Sequence, residues 1–194
     1  MDTYRTVVYL HVLSLLLGIG AVAVVGVCLF RLRAAQTLAD ALPWGMLAGK
    51  TERVFPVAIL GLFSTGAYLT SDAWTWGTRW IDVSIVALVI VALQGPLVAG
   101  RRAKTLEHAL IDNGPGPLAD RARGLARDPA LWIATFANPG IVLGVVWNML
   151  NKPSTGQAIA AVVVGYAVGA AGALPFTRKQ AIGAQAAADP TASG

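Results

Sequence analysis

Charges divide this chain into five long apolar runs, and a fold that left those runs in water would be unstable. They extend over about Val7–Phe30, Val54–Thr70, Trp80–Ala99, Ala130–Leu150 and Gly156–Phe176. A helix needs about 20 mostly apolar residues to cross a bilayer, and each run approaches that length. The runs are continuous rather than alternating, which excludes transmembrane strands. The second is the shortest and carries Pro56. Of 194 residues, 56% are apolar and 13% charged, about half the charged share of an ordinary soluble domain. Disorder requires the opposite balance, and one cysteine cannot build a disulfide scaffold. The expected fold is all-α: a polytopic membrane bundle of five transmembrane helices within residues 1–180, followed by a flexible tail at 181–194.

Ala21-Val22-Ala23 has the small-x-small form of a leader cleavage site. The apolar run before it is already long and continues to Phe30, so the run is expected to stay as a span. Cys28 follows Val27 rather than a small residue. It is expected to be a packed apolar thiol, not a lipidated one.

Lys and Arg favour cytoplasmic segments. Arg31, Arg33, Lys50, Arg53, Arg101, Arg102, Lys104, Arg121, Arg123, Arg127, Arg178 and Lys179 fall on one side of a five-span layout. Only Arg5, Arg79 and Lys152 fall on the other. This bias predicts an outside N-terminus, a cytoplasmic C-terminus and a multi-pass protein of a bacterial inner (plasma) membrane. The six Trp lie near span ends, which predicts an interfacial aromatic belt. The net charge of +5 then reflects topology and attraction to anionic lipid. No basic groove with interleaved aromatics points to nucleic acid.

Between spans, Leu32, Ala35, Leu38 and Leu42 recur at helical spacing, with Pro43 as the expected stop. Arg101–Ile111 is also helical in pattern, Gly114-Pro115-Gly116-Pro117 breaks it, and Leu118–Arg127 is a second basic stretch. Both stretches are expected on the membrane surface. His108, in the first of them, reads as a solvated face residue.

Function is constrained first by what the spans lack. Asp82 and Glu52 stand at span edges, and the five apolar cores hold no Asp, Glu, Lys or Arg. Ion pumps and proton-coupled carriers ordinarily keep such a group inside. Motifs for zinc proteases, redox CxxC, serine hydrolases, nucleotide loops and dinucleotide binding are all absent. The chain is therefore expected not to be an enzyme.

His11 is the ionisable side chain within a span, about 6 Å below the outer end at 1.5 Å rise per residue. Ser14, Gly18, Ala21 and Val25 continue its face with mostly small residues, suited to helix contact. Span two offers Gly61, Thr65, Tyr68 and Asp72. Tyr68, Asp82 and Met149 share the outer depth of His11, with Asn148 beside the last. In one reading His11 binds copper or haem, with Met149 as soft partner and Asp82 orienting the imidazole. In the other it is a neutral histidine bonded to Tyr68, Asp82 or a backbone carbonyl.

Gln94-Gly95-Pro96 and Asn138-Pro139-Gly140 are helix breaks. They read either as kinked packing helices held by amide hydrogen bonds or as the lining of a neutral-solute channel or carrier. Ala161, Gly165, Gly169 and Ala173 form a small-xxx-small stripe for packing within the bundle or in a homo-oligomer.

Leu10-His11-Val12-Leu13, the small-residue-rich span and the basic segment after it resemble a bacterial family of integral membrane proteins without assigned function. That layout is similar in turn to the membrane domain of the copper resistance protein D family. The resemblance covers roughly the first 150 residues and implies copper handling at the outer face. The expectation is thus a small accessory or small-ligand-binding membrane protein whose partners are the bilayer and another membrane protein or copy of itself. A reporter fused to the C-terminus should read as cytoplasmic, and a periplasmic signal there would overturn the five-span layout.

Overall fold

The computed structural model describes residues 2–188, with side chains to Thr177. Its elements are α1 (Thr3–Ala34), α2 (Leu38–Glu52), α3 (Val54–Ala73), α4 (Arg79–Gln94), a π-helical segment (Gly95–Gly100), α5 (Arg101–Ile111), α6 (Asp120–Ala126), α7 (Pro129–Asn151) and α8 (Thr155–Ala188). Among the described residues there is no strand, and five helical stretches are long and apolar enough to cross a membrane. The apolar runs correspond to α1, α3, α4 with its π segment, α7 and α8. The tail expected at 181–194 falls partly on the backbone of α8 and partly, at 189–194, outside the described residues.

Local chemistry sets the helix ends. Asp2 caps α1 by accepting from the Tyr4 amide at 3.2 Å. Asp128 caps α7 by accepting from the Ala130 amide at 2.9 Å, with Pro129 at the first helical position. The helical pattern at 32–42 does not stop at Pro43. It breaks earlier, at Ala35–Thr37, and α2 runs through Pro43 to Glu52. Two interactions explain the correction. Thr37 and Asp40 form a reciprocal capping box that starts a new helix. The chain on either side of Thr37 is also held by a distant loop: Leu38 N–H donates to Gly116 O and Leu118 N–H to Gln36 O, both at 2.9 Å. Pro43, the sixth residue of α2, removes one backbone bond inside the helix, and the helix continues through it.

Pro96 removes a donor from the third apolar run, and the widened π turn absorbs the defect. The helix continues beyond it, so Arg79–Ile111 forms one stretch of 33 residues. α5 and α6 bury Leu106, Ala109, Leu110, Ala122 and Ala126 against α1, α2 and α7. They form a cap over the basic end of the bundle.

The helices associate in two groups. In the first, α1 packs against α2 and α3 and runs antiparallel to α3. Gly18 faces Ala58, Gly61 faces Ser14, and Gly66 faces His11. In the second, α7 packs between α4 and α8. A Cβ on Gly140 would strike the Gly165 carbonyl, and one on Gly144 would stand 2.6 Å from the Ala161 carbonyl. Gly169 lies as tightly against Phe136 and Ala137. The small stripe of α8 is therefore occupied by α7 of the same chain, with Ala158 and Ala173 fully buried.

At the basic end one core joins both groups. Trp132, also fully buried, stacks on Phe176 with centroids 4.8 Å apart and meets Phe30 edge-on at 5.0 Å. Its indole N–H donates to Ala126 O at 3.0 Å. The Arg33 guanidinium lies 5.4 Å from the Trp132 ring and donates to Phe176 O at 2.6 Å. Trp132 is thus core rather than aromatic belt, which corrects the expectation from its position near a span end. A buried indole with a satisfied N–H is stable there.

Overpacking in a closely fitted contact costs roughly 1–3 kcal/mol. Gly140→Ala and Gly144→Ala should each destabilise the detergent-solubilised protein by about that much in a denaturant titration. Gly20→Ala should not, because a Cβ there meets nothing within 4 Å.

Candidate functional site

The end of the bundle opposite the basic cap holds two polar nodes, one in each helix group. In the first, His11 Nδ1 stands 2.8 Å from Thr65 Oγ1. Thr65 Oγ1 in turn donates to Gly61 O at 2.5 Å, with a longer contact of 3.3 Å to Leu62 O. A hydroxyl has one proton, and that proton is committed to the backbone. The network therefore assigns the Nδ1 proton to His11, which donates to Thr65 and keeps a lone pair on Nε2. Small residues allow the approach: a Cβ on Gly66 would lie 3.4 Å from His11 Cε1.

The second node is fully buried Asn148. Its amide donates to Ser84 Oγ at 3.4 Å and to Ala158 O at 3.3 Å, which ties α7 to α4 and α8. Its Oδ1 is buried without a hydrogen-bond partner among the described residues.

Between the nodes lies an apolar cavity of about 10 Å³, where the two helix groups meet. α1 contributes His11 and Leu15, α3 Leu62, α4 Leu88, and α7 Val142, Val145, Val146 and Met149. Such a volume admits about one water-sized group. His11 and Met149, distant in sequence, thus line the same pocket. The lining surface is wholly apolar, so His11 presents ring carbon to the cavity and Met149 its thioether side chain. A haem does not fit this volume. Among the described residues no group of three or more His, Cys, Asp or Glu is arranged to hold a metal ion.

Tyr68 and Asp82 do not join this site, and neither bonds His11. Tyr68 is 40% exposed. It stands one turn beyond Thr65 on α3, outside the residues that line the cavity. Asp82 is exposed because α4 buries Ile81, Ser84 and Ala87 on its packed face. As an acid in the first turn it complements the helix dipole instead. Thr65 is the partner that replaces them, and its one-turn spacing from Gly61 on the small face was the available signal.

Gln94 is half-buried at the end of α4, and Asn138 is half-buried before Pro139 in α7. The π segment packs on α7, so the two helix breaks are neighbours. Asn138 Oδ1 is buried without a partner among the described residues. Cys28 is fully buried, and His108 is exposed on α5.

No family model, no curated protein and no solved structure matches this chain. Hydrogen bonds between membrane helices contribute on average about 0.6 kcal/mol, with a maximum near 1.7. A double-mutant cycle of His11→Ala and Thr65→Val should return a coupling energy in that range, read from unfolding in detergent. A coupling of zero would break the proposed tautomer chain.

Proposed function

We propose that this chain is a multi-pass protein of a bacterial inner membrane that binds a small ligand and performs no catalysis of its own. Its N-terminus faces outward and its C-terminus the cytoplasm, in accord with the distribution of Lys and Arg. One observation carries the reading: His11 and Met149 line a single apolar pocket at the junction of two helix groups, and Thr65 occupies the other imidazole nitrogen. Pre-orienting an imidazole through its second nitrogen is how protein sites fix a ligand's tautomer and direction.

Within this reading the donor pair favours copper(I). His11 would turn Nε2 into the cavity and Met149 would offer its sulfur, both soft enough for that ion. The apolar wall from Leu15, Leu62, Leu88 and Val145 excludes water, so few competing oxygen donors reach the site. The likeness in layout to the membrane domain of the copper resistance protein D family points the same way.

Copper(I) titration of the detergent-purified protein against a chromophoric chelator under reducing conditions tests the proposal. One ion per chain is expected. His11→Ala and Met149→Leu should abolish binding, and Thr65→Val should weaken it by about 10- to 100-fold. Absence of binding by the unmodified protein, or binding unchanged in all three variants, would overturn the copper reading.

A further inference from the structure

We propose that the groove between the C-terminal half of α2 and α5 is a headgroup site for an anionic phospholipid. It lies at the basic end, remote from His11, with a volume of about 440 Å³. Lys50, Arg53 and Lys104 line it together with Glu52 and Glu107. The lining therefore carries one more positive than negative charge. Among the described residues, none of these five groups forms an ion pair within 4 Å. Arg102 pairs with Asp128, and Arg123 with Asp120, on the same end of the molecule. The groove thus keeps its cations available while neighbouring ones are engaged.

Its floor is backbone. Gly45 and Gly49 are one turn apart on α2 and both line the groove. A Cβ on Gly49 would meet nothing within 4 Å, and one on Gly45 only the Leu110 Cδ1 at 3.2 Å. Two missing side chains leave room where a bulky anion could sit.

Depth points to a lipid rather than a soluble anion. The antiparallel register between α1 and α3 pairs Gly18 with Ala58 and His11 with Gly66. Extended toward the basic end, it sets Lys50–Arg53 level with the stretch of α1 around Val24–Gly26. That level is the boundary of the second apolar run, which begins at Val54, where headgroup phosphates lie. Met46 lines the groove and is 54% exposed, and its neighbour Leu47 is also exposed, so acyl chains would meet an apolar flank. A phosphodiester brings one negative charge and oxygens that accept from Lys and Arg at this surface.

The test is native mass spectrometry of the full chain in neutral detergent, titrated with phosphatidylglycerol or phosphatidylcholine. One phosphatidylglycerol per chain should be retained in preference to phosphatidylcholine. Lys50→Gln with Lys104→Gln should cut that retention roughly tenfold or more, since each basic group near a membrane surface contributes measurably to anionic lipid binding. Glu52→Gln should raise it several-fold, a gain that misfolding does not produce. Equal retention of the two lipids, or retention unchanged in these variants, would overturn the site. Displacement of phosphatidylglycerol by millimolar inorganic phosphate would assign the groove to a soluble anion and overturn the lipid reading.

Discussion

The backbone contact between α7 and α8 is the constraint on which the rest of the bundle depends. In a lipid environment apolar side chains gain little by leaving their surroundings, so helices associate through close approach and hydrogen bonds. Gly140 and Gly144 on α7 against Ala161, Gly165 and Gly169 on α8 bring two main chains together. That contact fixes the rotation of α7. Its other faces then present Val142, Val145 and Met149 to the cavity and Asn148 to Ser84. The pocket wall is as well defined as the glycines behind it.

The two ends of the molecule are built on different principles. At the basic end, aromatic rings, aliphatic side chains and the Arg33 guanidinium form a continuous core across α1, α2, α5, α6, α7 and α8. At the opposite end, each helix group holds its own polar node, and the groups meet around a small apolar void. The separation leaves His11, held within one group, and Met149, held within the other, on opposite walls of one cavity.

Much of the fold was legible from the chain itself, since charge placement and run length alone dictate the helices and their order. The small face from His11 through Gly18 and the stripe on α8 were also readable, because residues one turn apart share a helix face. Lateral neighbourhood was not. Residues at equal depth can stand on opposite sides of a bundle, so Tyr68 and Asp82 were as eligible as Thr65 to meet His11. Trp132 shows the same limit. Its place near a run end fits a headgroup anchor, yet helix rotation turns it inward onto Phe30 and Phe176. The end of the first helix was obscured for a further reason: the break at Ala35–Thr37 is stabilised by residues some eighty positions away.

That long-range clasp bears on biosynthesis. The strand-like bridge between Thr37 and Pro117 cannot form until the third apolar run and the loop after it have left the ribosome. During that interval α1 and α3 can already pair through their small faces, while the end near Thr37 waits without its partner. The order of emergence thus favours an early hairpin that carries His11 and Thr65 already matched. The second half of the chain then docks onto it and supplies Met149 last.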